Sequence, residues 1–129
     1  MALEDEMTFE IQGNSGNAYG SEWVYAEGNI TKNTVDRLWK LVCSQPQRRL
    51  PTIIFNSKGG LLEEGILLGN IIRENNIATA VGKSVFNKEI NFHDLVDGGE
   101  CSSACVWAFL GGVEREVKGS HRGSSVCLS

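Results

Sequence analysis

Apolar and polar positions alternate from Met7 to Ile11, the period of a strand with one face buried. Glu22 to Ile30 is a second strand candidate, with Trp23 and Tyr25 on one face and Val24 and Ala26 on the other. The spacing then changes. Val35, Leu38, Trp39, Leu41 and Val42 recur at helical intervals, which predicts an amphipathic helix over 32–44 with Thr31 as its N-cap and Pro46 as its stop. Thr52-Ile53-Ile54-Phe55-Asn56 is a short, largely apolar run, the pattern of a strand buried on both faces. After Ser57-Lys58-Gly59-Gly60, the residues Leu61, Leu62, Ile66, Leu67, Leu68, Ile71 and Ile72 mark a second helix to about Asn75. Ile77 to Val81 reads as another strand. From Glu22 onward the order is strand, helix, strand, helix, strand, which predicts βαβ units and a parallel sheet.

Gly82 to Gly99 is expected to be a long, mainly polar loop of the kind that lids or lines a site. A third helix is predicted from Ser102 to Leu110, opening on small residues and continuing into an apolar run that would bury it. The tail from Glu114 is loop-like in composition, with Val126-Cys127-Leu128 as a candidate last strand. Residues 1–6 are mostly polar and are expected to be frayed, leaving one domain over 7–129.

The chain of 129 residues has a net charge of −4 and no cluster of Lys and Arg, which argues against a nucleic-acid partner. No apolar run has the length of a membrane span, and the acidic start Met1-Ala2-Leu3-Glu4-Asp5-Glu6 lacks the pattern of a signal peptide. Cysteines stand at 43, 101, 105 and 127, without the density of a secreted disulfide scaffold. Cys101 and Cys105 are four residues apart, about one helical turn, which suits packing on one helix face better than a disulfide. Reduced thiols and a cytoplasmic location are therefore expected, or a periplasmic one if a signal peptide has been removed.

Two turns carry candidate chemistry: Asn56-Ser57-Lys58-Gly59-Gly60 and Cys101-Ser102-Ser103-Ala104-Cys105. Each opens a predicted helix, and the first follows a strand at the sheet edge where open parallel sheets bind ligands. Glycines without Cβ atoms let a backbone N–H approach a substrate oxygen closely. An oxyanion hole needs such donors, and the amide after a nucleophile often supplies one of them. The glycine turn is neither a Walker loop nor a dinucleotide fingerprint.

Together these blocks, with Gly65 and Leu68 after the first and Phe109-Leu110-Gly111-Gly112 after the second, resemble the superfamily of the Clp protease proteolytic subunit and the crotonases. More narrowly they are similar to bacterial members with a Cys-x-Ser-Ala-Cys stretch. The resemblance spans roughly residues 20–117. It implies an α/β fold of repeated Clp/crotonase-like βαβ units, shortened at the C-terminus. It also implies Ser103 as nucleophile, the N–H groups at Gly59, Gly60 and Ala104 as oxyanion-hole donors, a peptide or protein substrate, and a homo-oligomer. Lys58 stands where the family turn usually carries proline.

The chain departs from that pattern at the base. The family histidine would fall near Val126, where there is none, and no aspartate follows. His121 is the nearest substitute, and His93 with Asp94 or Asp97 is a second. A serine without a base is a poor nucleophile at neutral pH, so a serine-hydrolase-like, peptidase-related protein of weak or no activity is expected. The competing expectation is a non-catalytic oligomerising or binding protein of the same fold. Acyl-CoA chemistry, as in crotonases, has no CoA signature behind it, and no cofactor is expected. A zinc site from Cys101, Cys105, His93 and His121 has suitable ligand types but no common spacing, so no metal is expected. A redox role for Cys101 and Cys105 lacks Cys-x-x-Cys spacing.

Overall fold

The buried run Ile53–Asn56 is the centre of the molecule. In the computed structural model, which describes residues 5–13, 22–44, 50–89, 92–96 and 98–111, it forms strand β3. Before it come β1 (Thr8–Gly13), β2 (Glu22–Glu27) and helix α1 (Thr34–Cys43). After it come α2 (Leu62–Glu74), β4 (Thr79–Val81), β5 (Lys83–Asn87), β6 (Phe92–Val96) and α3 (Ala104–Leu110). The main sheet has the order β1-β2-β3-β4. β2, β3 and β4 are parallel, as the alternation of strand and helix predicts, with Val24 opposite Ile53 and Ile53 opposite Thr79. β1 joins antiparallel, Phe9 opposite Ala26, so the sheet is mixed and the fold is mixed α/β.

The two faces of β2 separate as their period requires. Val24 and Ala26 are buried with Ile53, Phe55, Leu38, Leu68 and Ile72 under the helices. Trp23 and Tyr25 form a smaller cluster with Ile54 on the other face. There Trp23 Nε1 donates to the buried Gln12 Oε1 at 3.1 Å. Ser84 of β5 donates to the same oxygen at 2.5 Å.

Several expectations are corrected. Residues 82–99 are not one polar loop: β5 and β6 pair as an antiparallel hairpin, Phe86 opposite His93. Its turn opens with Asn87 Oδ1 accepting from the Glu89 N–H at 3.0 Å, a side chain imitating a backbone turn. Thr31 does not cap α1; Asn33 holds that position and makes no side-chain cap. Instead the Thr31 N–H donates to Thr34 Oγ1 at 2.8 Å, and Thr31 Oγ1 donates to Glu6 Oε2 at 2.9 Å. Asp5 and Glu6, expected to be frayed, are in place. The Asp5 carbonyl accepts from the Asn29 N–H at 2.7 Å. Arg37 meets Glu6 Oε1 at 2.8 Å and the Met7 carbonyl at 3.0 Å. The hydrogen bond from Asn33, then that from Thr31, and the attraction of Arg37 hold the Glu6 carboxyl below its ordinary pKa, against an opposing effect of burial.

Helix α3 is buried on one side only. Ala104, Cys105 and Ala108 are inside, whereas Val106, Trp107 and Leu110 are exposed. The inner side lies close against α2, because Gly65 and Gly69 face Ala104 and Trp107 there. A Cβ on Gly65 would meet the Ala104 carbonyl oxygen and, at 2.9 Å, the Ala104 Cβ. Thr79 Oγ1 donates to the Phe109 carbonyl at 2.8 Å, fixing the other end of α3 to the sheet. The last candidate strand, Val126-Cys127-Leu128, lies outside the described residues, as does the whole segment on which a shortened C-terminus was inferred.

Candidate active site

The chain leaves β3 at Asn56, at the carboxyl end of the parallel strands, and is stitched at once to the segment before α3. The Ser57 N–H donates to the Glu100 carbonyl at 2.6 Å, and the Ser102 N–H donates to the Ser57 carbonyl at 3.2 Å. Asn56 extends the stitch with its side chain. Its Oδ1 accepts from the Glu100 N–H at 3.0 Å, and its Nδ2 donates to the Tyr25 hydroxyl at 2.9 Å. Three hydrogen bonds thus join the Asn56–Gly60 turn to residues 100–102 at the start of the second, and the fourth ties Asn56 to β2.

Gly59 is where they touch. Its φ is +113°, and an added Cβ would sit 2.7 Å from both the Ser102 carbonyl oxygen and the Ser103 Cβ. No side chain fits there, and L-residues rarely adopt that backbone angle. The Gly59 carbonyl accepts from the Ile30 N–H at 2.7 Å. No peptide bond in the described chain is cis, so the N–H of Gly60, on the same peptide, is turned away from Ile30. The Gly59 N–H itself donates to the buried Ser57 Oγ at 3.0 Å. Of the three expected donors, Gly59 is therefore engaged. The N–H groups of Gly60 and Ala104 make no hydrogen bond among the described residues.

Ser103 is exposed and precedes α3 with φ 54° and ψ −124°, a conformation sparsely populated by any residue with a Cβ. Such a turn points the side chain out at a strained bend, the local geometry of a nucleophile elbow. Its hydroxyl neither caps the helix nor bonds any other described residue. The neighbouring Ser102 is engaged: its Oγ donates to Glu100 Oε2 at 3.1 Å.

No base meets Ser103 among the described residues. His93 sits on β6 with its ring edge against Phe86, centroids 5.1 Å apart, and Asp94 Oδ2 accepts from Asn87 Nδ2 at 3.4 Å rather than from His93. His121 and Asp97 lie outside the described residues.

The cysteines overturn the expectation of reduced thiols. Cys101 and Cys105 form a disulfide, with Cα atoms 5.2 Å apart, and Cys43 is disulfide-bonded as well. The expectation failed because residues 101–103 are not helical. Cys101 makes a β-bridge with Ser57, and the bend at Ser103 brings it back over Cys105. Both sulfurs that a zinc site would have needed are in this bond, and no group of three or more potential metal ligands occurs among the described residues.

Beside the stitched turns lies an open cleft of roughly 590 Å³, lined in part by Asp5, Glu6, Glu27, Lys58 and Glu100. Ser103 is not part of its wall. Neither the cleft nor the structural part of Ser57 was visible in the sequence. A serine directly between the end of a strand and a paired glycine was the available sign of the latter. No helix among the described residues is long and apolar enough to cross a membrane. Comparison with protein-family models, with characterised proteins and with solved structures finds no match.

Proposed function

We propose that the chain is a serine-hydrolase-related protein of the Clp/crotonase type, with Ser103 as nucleophile and the N–H groups of Gly60 and Ala104 as donors to an oxyanion. The observation that carries this reading is the Ser103 backbone, at φ 54° and ψ −124°, set against Gly59. A hydroxyl presented at a bend, with unengaged amide donors on that residue's own turn and on the adjoining one, is what acyl transfer needs. The substrate class is a peptide or protein, by the resemblance alone. Activity is weak or nil as far as the described residues go, because none of them serves Ser103 as a base. The paired cysteines favour an oxidising compartment over the cytoplasm. The test is a fluorophosphonate probe on the wild type and on Ser103→Ala. Labelling that disappears in the variant supports the reading, and absence of labelling in the wild type favours the non-catalytic reading below.

A second reading, a non-catalytic oligomerising protein, has its own observation. Leu62, Ile66 and Leu67 of α2 and Trp107 and Leu110 of α3 are exposed. Large apolar side chains exposed on two helices packed together are candidates for a contact surface. Sedimentation velocity on the wild type tests it, and a strictly monomeric profile counts against it.

A further inference from the structure

The disulfide encloses the residue on which the proposed chemistry rests. Cys101 and Cys105 are bonded, and Ser103 is the middle residue of the loop they close. In a regular helix, residues four apart have Cβ atoms about 5–6 Å apart. A disulfide needs them at roughly 3.5–4.5 Å. While the bond is intact, residues 101–105 therefore cannot run as one helix, and Ser103 is kept at its bend. Without the bond that bar disappears. α3 then has a lower-energy way to begin, with Ser102 and Ser103 continuing the helix backward, since a positive φ disfavours any residue with a Cβ. The two sulfurs also differ in access. Cys105 is fully buried, whereas Cys101 is half-buried at the bridge to Ser57.

We propose that the Cys101–Cys105 disulfide is a redox latch on the Ser103 turn: oxidised, it presents the hydroxyl; reduced, it lets the turn join α3 and withdraws it. The regulatory meaning rests on the reading of Ser103 as nucleophile. The reductant is a dithiol. One thiolate attacks the Cys101 sulfur, the bond to Cys105 breaks, and Cys105 leaves as a thiolate and takes a proton. The second thiol then attacks the mixed disulfide, releasing Cys101 as a thiol and leaving the reagent as a disulfide. Two electrons and two protons pass from reagent to protein.

The test uses the full chain, labelled with ¹³C and ¹⁵N, in three forms: oxidised, reduced with dithiothreitol, and Cys101→Ala/Cys105→Ala. The double variant leaves the bond at Cys43 intact and so isolates this one. If the double variant fails to fold, the reduced wild type carries the measurement. The expected result is that the Ser102 and Ser103 Cα and Cβ shifts move toward helical values in both altered forms. Fluorophosphonate labelling should fall at least about tenfold and return on reoxidation of the wild type only. Shifts that stay put when the pair is reduced overturn the latch, as does labelling at equal, measurable rates in both redox states. Shifts that move while neither state is labelled support the latch and refute the nucleophile.

Discussion

Replacing Ser103 by glycine should make the protein more stable than replacing it by alanine, the reverse of what glycine does at ordinary positions. Ser103 holds φ 54° with ψ −124°, outside the small left-handed basin that L-residues tolerate. A residue with a Cβ held in such a conformation costs about 1–3 kcal/mol. Alanine keeps that cost and glycine removes it. Against this, glycine orders more backbone entropy on folding, a loss of about 0.5–1 kcal/mol relative to alanine. The balance favours Ser103→Gly over Ser103→Ala by about 1 kcal/mol. For a chain of 129 residues that is about 3–4 °C in Tm. Neither change removes a hydrogen bond, because the hydroxyl makes none among the described residues. Urea unfolding followed by tryptophan fluorescence would measure the difference, with the disulfides kept oxidised and the m-values compared. If Ser103→Gly is the less stable of the two by the usual glycine cost, Ser103 does not sit at a strained bend, and the elbow geometry falls with it.

Gly59→Ala places a methyl 2.7 Å from the Ser102 carbonyl oxygen and the Ser103 Cβ at a positive φ, so it should cost about 2 kcal/mol or more, read as a lower midpoint in the same unfolding assay. Glu6→Gln should alter the response to acid. The lowered folded pKa of Glu6 means that its contribution is present above the ordinary glutamate value of about 4.3 and is lost as pH falls through the lower folded value. The stability gap between wild type and variant should therefore stay constant down to about pH 5 and narrow below about 4, and a gap that persists unchanged into stronger acid contradicts the Glu6 cluster. If the exposed α2–α3 face joins copies of the chain, Leu67→Glu with Trp107→Glu should lower the sedimentation coefficient seen at micromolar concentration, while an unchanged value places any contact elsewhere.

The parallel core was legible because burial on both faces leaves an unmistakable trace. Ile53-Ile54-Phe55 has no polar position to lose, and the helices before and after it carry their own period. The meeting of the two turns was legible as a pair, since each followed the same pattern of small residues before a helix. The β5–β6 hairpin was not. Lys83, Asn87, Lys88, Glu89 and Asp94 interrupt its apolar positions, and Val85, Phe86, Leu95 and Val96 stay exposed, so alternation there gives little contrast. The cap at α1 was misread for a different reason. Thr31 Oγ1 accepts from the Asn33 N–H just ahead of the helix and donates to Glu6, a partner 25 residues earlier that local pattern does not reveal. The disulfide is not legible from spacing, because Cys101 lies before the helix and not on it. Four residues along a helix separate two cysteines, but four residues around a bend at positive φ unite them.

That bend bears on the choice between the two readings of function. A scaffold kept only for association has no use for a serine in a conformation that glycine would adopt at lower energy, and an exposed side chain without partners among the described residues gives nothing back to stability. The surroundings hold it there through several independent features: Gly59 leaves room for its Cβ, Ser57 binds the backbone of the segment before it, and the disulfide bars a helical start. Strain maintained by so many supports is more economically explained by what the hydroxyl faces than by the packing around it. The absence of a base among the described residues does not weaken this inference, because presenting a nucleophile and deprotonating it are separate tasks. On the proposed reading the described residues serve the first. The second requires a group from outside them: the segment holding His121, a second copy of the chain, or the substrate itself. Strain at Ser103 with no base in any assembly would mean that the turn presents the hydroxyl for binding rather than attack. Probe labelling, measured alongside the Ser103→Gly and Ser103→Ala pair, separates those cases.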